Sequence, residues 1–212
     1  VVAREEDRDV ARELFELFKT PWEFYRRHGE YEAILCPAAD VPPENGVARV
    51  VFGSSLVAAE DGDLTGTPKQ EVRLLFRGKD VPLYGTCLVF DTMTPDLAVA
   101  GESGSAVAWR RRDGAPTVRL GYDIFSEIRF LLVAGQPETN ASIPTLDLHI
   151  AILRQVIVEA GVSLVEIPPV PAGHPFSVCL THDVDHPLVR NHKIDHTGLG
   201  FLLRATVGSV AN

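Results

Sequence analysis

Apolar positions recur first at helical and then at strand spacing, which outlines a mixed α/β unit. From about Asp7 to Lys19, Val10, Leu14, Leu17 and Phe18 share one face and Arg and Glu occupy the rest, predicting an amphipathic helix. Thr20-Pro21 reads as an N-cap followed by proline at the first helical position, predicting a short second helix through Trp22, Phe24 and Tyr25, with the aromatics in the core. Ala33 to Cys36, closed by Pro37, and Ala48 to Phe52, closed by Gly53, read as buried strands separated by a loop from Pro42 to Gly46. Asp61 and Asp63 lie among Gly62, Thr65 and Gly66. The spacing lacks the later bidentate acid of a calcium loop, so this stretch reads as a solvated turn.

Val72 to Phe76 and Leu83 to Phe90 have the look of strands joined through Gly78-Lys79-Asp80. Gly101 to Ser105 is glycine-rich without the ending of a phosphate cradle, and reads as a loop. Ala106 to Arg110 and Thr117 to Leu120 flank Asp113-Gly114, a strong hairpin signal. Asp123 is placed to cap a helix carrying Ile124, Phe125, Ile128, Leu131 and Leu132 and ending at Gly135. Asp123 and Glu127 are read as acids favoured at a helix start. Pro144 opens a further helix through Leu148, Ile152 and Val156, in which His149, a single imidazole, is structural or exposed. Four prolines between Ile167 and Pro175 then mark an extended, stiff segment. The predicted organisation is a mixed α/β accessory domain over 1–168, a proline-rich linker over 169–175 and a second domain beginning at 176.

Composition narrows the classes. Apolar residues make up 45% of the 212 positions and charged ones 23%, the balance of a chain with a real core. A formal charge of −9 argues against nucleic acid or an anionic membrane as main partner. Arg110-Arg111-Arg112 is too short to alter that and reads as a solvated face. Cys36, Cys87 and Cys179 each sit in or beside an apolar run and are expected to be buried free thiols. Asn140-Ala141-Ser142 matches a glycosylation sequon but reads as chance. With no basic-then-apolar signal and no eighteen-residue apolar run, the expectation is a cytoplasmic protein without a membrane span.

The chemistry concentrates after the linker. Phe176-Ser177-Val178-Cys179-Leu180 is an apolar run of the kind that makes a buried strand. It leads into Thr181-His182-Asp183-Val184-Asp185-His186, and Pro187 stops it. In a strand Asp183 and Asp185 share a face roughly 7 Å apart at their Cα atoms, with His182, Val184 and His186 on the other side. Two such acids repel unless a cation, a proton or a basic group lies between them. One carboxylate on a divalent metal with the other free as a base satisfies that demand. His192 and His196 are four apart, the spacing that aligns two imidazoles on one helical face for a cation, although Gly198 and Gly200 weaken a helix there. From Leu199 to Val210 the chain is nearly all apolar, a helix in want of a partner.

The run from Cys179 to His186 resembles the first motif of the polysaccharide deacetylase (carbohydrate esterase) family, in the variant where one residue separates the two acids. The resemblance implies a distorted (β/α) barrel that removes acetyl groups from N-acetylated sugars or related amides. It assigns Asp183 as general base and Asp185 as a metal ligand, with zinc the expected metal. The family's His-x3-His metal pair comes much later, and only 26 residues follow His186. A barrel takes roughly 200 residues to close, so 176–212 is expected to supply at most the first strand and one helix of an incomplete deacetylase domain. Asp185, His192 and His196 are the candidate ligands. The partner implied is an N-acetylated polysaccharide or related amide, and a homo-oligomer is compatible with the reading. A rival reading makes the leading 165 residues a non-catalytic carbohydrate- or protein-binding module. In a third, His182, Asp185, His186, His192 and His196 form a self-contained metal site.

Overall fold

A computed structural model describes residues 1–43, 46–91, 97, 99–101, 104–111, 114–168, 170–181 and 196–210. The chain divides into two compact units, Val1–Pro168 and Pro169–Asn212. Among the described residues the architecture is α/β, with open sheets flanked by helices and no closed barrel.

The first unit opens with helix α1, Arg8–Phe18, which buries Ala11, Leu14, Phe15 and Phe18. That set follows the i, i+3, i+4, i+7 spacing, but on a face rotated from the predicted one, and Leu17 is left 47% exposed. The helix expected from Thr20 to Tyr25 does not form. Trp22 stacks on Phe15 with centroids 4.9 Å apart, and Phe24 meets Trp22 edge-on at 5.0 Å while lying 3.9 Å under the Arg8 guanidinium. Laying residues 22 and 24 along α1 on the same side requires extended backbone, whose side chains alternate. Tyr25 N–H donates to the Val1 carbonyl, which fixes the segment in that form.

The main sheet is ordered β1-β2-β9-β8, from strands β1 (Ala33–Pro37), β2 (Ala48–Phe52), β8 (Ala108–Arg111) and β9 (Thr117–Leu120). The first three strands of that order are parallel, and β8 closes the sheet antiparallel as the predicted hairpin partner of β9. Strand alternation divides the sheet cleanly. Leu35, Val50, Phe52, Val118 and Leu120 join the large core with α1 and the two later helices, while Ile34, Cys36 and Val51 form a smaller cluster. Both faces are covered, so the strands read as near-continuous apolar runs.

Between β2 and β8 lie helix α2 (Ala58–Asp61) and strands β3 (Gly66–Lys69), β4 (Arg73–Phe76), β5 (Lys79–Pro82), β6 (Cys87–Phe90) and β7 (Val99–Gly101). They form two small antiparallel sheets, β3-β6 and β5-β4-β7. The strand expected from Leu83 to Phe90 is therefore shorter, because the Tyr84 and Gly85 amides donate to a side chain from another element. Gly121 joins β6 to the main sheet: its carbonyl accepts from Leu88 N–H at 2.6 Å and its N–H donates to the Val107 carbonyl at 2.8 Å. A Cβ at Gly121 would collide with the Leu88 carbonyl oxygen, so only glycine permits this approach.

Asp123 caps helix α3 (Ile124–Val133) as expected, accepting from Phe125 and Ser126 amides at 3.0 and 3.1 Å. Helix α4 (Thr145–Glu159) follows Pro144 and contacts β2, β9 and α3. Cys36 and Cys87 are buried free thiols, and burial pushes both up to about 12. The arginine cluster departs from a solvated face. Arg110 and Arg111 are half-buried and lie on β8; Arg112 is outside the described residues.

In the second unit, residues 170–181 form no strand, contrary to the expected buried one. A strand needs a neighbour for its amides and carbonyls, and no ladder among the described residues includes this run. Phe176, Val178 and Leu180 are exposed, Leu180 at 87%, and so is Cys179, against the expectation of burial. Helix α5, His196–Val210, does form, running through Gly198 and Gly200. Its Leu199, Leu202, Leu203 and Val207 are exposed. Among the described residues no helix is long and apolar enough to cross a membrane.

Candidate functional site

Asp183, Asp185 and His192 lie outside the described residues, as do His182 and His186. His196 is the first residue of α5. Among the described residues no group of three or more His, Cys, Asp or Glu side chains converges. The structural candidates therefore come from the first unit, which holds both buried polar clusters and an open cleft.

The carboxyl end of the parallel strands, where open α/β sheets commonly bind ligands, is closed by a side chain. Arg119, on β9, is fully buried and pairs with Asp61 at 3.2 Å, both side chains at 1% exposure or less. Its guanidinium also donates to the carbonyls of Gly53 and Ser55 at 2.8 Å each, and to that of Leu120. Asp61 in turn accepts from the Val57 amide at 2.8 Å. Far from being a solvated turn acid, Asp61 anchors the loop after β2. Burial alone would lower the guanidinium pKa, and the attraction of Asp61 opposes that.

Glu127 lies in the first turn of α3, as expected of a helix-start acid, and its carboxylate is also buried. It is 2% exposed, and its carboxylate accepts from Tyr84 N–H at 2.9 Å and Gly85 N–H at 2.7 Å. Burial raises its pKa, and those two amides oppose the rise. Nearby, the Asn140 side chain donates to the Tyr84 hydroxyl at 3.1 Å and accepts from Arg73 at 3.3 Å. At 8% exposure its amide is not presented as a glycan acceptor.

His149, on α4, is fully buried. Its Nδ1 is 3.4 Å from the Tyr122 hydroxyl, and Nε2 has no hydrogen-bond partner among the described residues. Burial pushes the imidazole down to about 4 and the Tyr122 phenol up. Because the folded value lies below the unfolded one, His149 favours folding above about 6.5 and loses that contribution as pH falls toward about 4. Unfolding free energy should fall by on the order of 2–3 kcal/mol through this window. Denaturant titrations of wild type and His149→Phe at several pH values check it: the variant should show a shallower slope, and parallel slopes would remove His149 as the source.

The cleft has a volume of about 450 Å³ and opens beside the amino end of β1, at the far end of the strands from Arg119. Its walls come from α1, from the extended segment around Trp22, from residues 30–35 and from residues 162–165. Three contacts hold these walls together: Thr20 Oγ1 donates to the Val165 carbonyl at 2.8 Å, Ile167 N–H donates to that of Lys19 at 2.9 Å, and the Arg26 amide donates to the Tyr31 hydroxyl at 2.8 Å. The rings of Trp22 and Tyr31 are half-buried, and Glu30 and Glu32 are exposed at the cleft. Glu30 and Glu32 carry no ion pair among the described residues, whereas Glu23 is paired with Arg26. Among the described residues no Lys, Arg or His lines the space. The Val1 amine, also at the cleft, donates to the Glu23 carbonyl, and burial pushes it down to about 6, so it is mostly neutral at pH 7.

Sequence reading missed this cleft because its aromatics resemble core residues and its walls lie more than a hundred positions apart. No protein-family model, no curated protein and no solved structure matches the chain. Chemically, the cleft can stack a flat apolar face and attract a cation, while the two acids after Thr181 remain the candidates for hydrolysis.

Proposed function

We propose that this chain carries the leading accessory unit and the first catalytic motif of a metal-dependent polysaccharide deacetylase-like hydrolase. The reaction would remove acetyl groups from N-acetylated sugars or related amides. The observation that carries the reading is the run Thr181-His182-Asp183-Val184-Asp185-His186, two carboxylates separated by one residue behind an apolar run. The donor chemistry fits zinc: Asp185, His192 and His196 offer one carboxylate and two imidazoles, the complement of a catalytic site that keeps a position open. A divalent cation bound there would acidify water and polarise the amide carbonyl. Asp185, with the two histidines, would hold the cation in place. Asp183 would be left off the cation, free to take the proton of the attacking water. The C–N bond would then break as the proton held by Asp183 passes to the sugar nitrogen, so that acetate and the amine both depart.

The test is acetate release from an N-acetylated glycan by the protein expressed from its whole reading frame, with zinc supplied. Metal-dependent release is expected, and its absence with metal bound would overturn the proposal. A second reading, a non-catalytic carbohydrate-binding module, is favoured by the aromatic and acidic cleft of the first unit. It predicts saturable glycan binding without release of acetate.

A further inference from the structure

We propose that the cleft beside β1 is a binding site for glycans bearing free amino groups, that is, oligomers of a 2-amino-2-deoxy sugar in protonated form. The volume, about 450 Å³, lies within the range of small-ligand pockets. Trp22 and Tyr31 line the cleft half-buried, and the ring surface left uncovered by Phe15, Phe24 and Tyr25 supplies apolar area for the C–H face of a pyranose and attraction for an ammonium group. Thr20 and Ser163 place hydroxyls in the lining for sugar hydroxyls to meet.

Charge decides which sugar. Glu30 and Glu32 face the space without ion-pair partners among the described residues, and no basic side chain lines it. A neutral acetamide gains little from such a surface. An ammonium gains two exposed carboxylates, a modest attraction that salt screens. The site is also largely preformed, since the Thr20–Val165 and Lys19–Ile167 hydrogen bonds already hold its walls together, so little ordering is needed on binding. The choice of a sugar over another amine rests on the deacetylase reading, whose product is an amine-bearing glycan. The first unit would then hold already deacetylated stretches of the polymer while the chemistry proceeds elsewhere on it.

Calorimetric titration of the 212-residue chain tests this, using a glucosamine tetramer and its fully N-acetylated counterpart at a pH where amines are protonated and carboxylates ionised. Saturable binding of the amine form is expected, weakening as salt rises, with the acetylated form bound about tenfold more weakly or not at all. Glu30→Gln/Glu32→Gln should erase that preference without changing the melting temperature, because both side chains are exposed. Equal affinity for the two sugars, or binding of neither, would overturn the proposal. So would tighter binding of a lysine tetrapeptide, which would make the cleft a cationic-peptide site. None of these titrations involves turnover, so failure here leaves acetate release untouched, and failure of acetate release leaves the titration result standing.

Discussion

Asp61→Ala is expected to destabilise the first unit by about 3–5 kcal/mol, because it leaves the Arg119 charge buried without its partner. Removing the carboxylate leaves the guanidinium bonded only to the carbonyls of Gly53, Ser55 and Leu120, none of which carries a formal charge. The Val57 amide loses its acceptor at the same time. The loop after β2 should loosen, and with it the edge of the sheet nearest α2. Urea unfolding followed by tryptophan fluorescence measures the cost, and a lower midpoint at an unchanged slope is the expected signature. Arg119→Met should cost a comparable amount, since it strands Asp61 and three carbonyls. Combining Arg119→Met with Asp61→Leu should cost clearly less than the sum of the two single changes, because neither charge is then left unpaired. A loss below about 1 kcal/mol for Asp61→Ala would mean that water reaches the pair and that it behaves as a surface bridge.

The same pair shows where sequence reading succeeds and where it stops. The period and turn residues around Asp113-Gly114 locate the β8–β9 hairpin, and the placement of Asp123 locates its helix, because both signals are local. Polar residues with distant partners are a different matter. Asp61 meets Arg119 from 58 positions away, and Glu127 receives amides 43 and 42 positions earlier, so local pattern alone reads the first as a solvated turn acid and the second as no more than a helix-start acid. Arg119, lying within Thr117-Val118-Arg119-Leu120, was the available clue: a charge in an otherwise apolar buried strand requires a buried counter-charge. Asp7 repeats the pattern, fully buried between Arg4 and Arg129. At Thr20-Pro21 the local signal favoured a helix, and packing of Trp22 and Phe24 on α1 overrode it. The cleft was illegible for the same reason as the ion pairs, since it exists only once residues 20–35 and 162–165 are brought together.

In the protein expressed from its whole reading frame, Asp183→Asn and Asp185→Asn should both abolish most deacetylation, but by separable routes. If Asp183 is the base, its amide replacement cannot accept the proton of the attacking water, and acetate release should fall by about 10²–10⁴-fold with zinc still bound. Asp185 is assigned to the cation, so Asp185→Asn should lower zinc affinity first, with the loss of rate partly recovered at high metal concentration. Measuring bound zinc beside acetate release for the two variants separates the roles. The pH profile adds a second discriminator: the acidic limb of the rate, set by protonation of the base, should vanish in Asp183→Asn and persist in metal-saturated Asp185→Asn. If Asp183→Asn matched wild type in rate, the first acid would have no part in the chemistry, and the pairing of two carboxylates separated by one residue would no longer support a hydrolase. If instead both variants lost zinc together, the acids would be joint ligands, and the base would have to be sought among other residues.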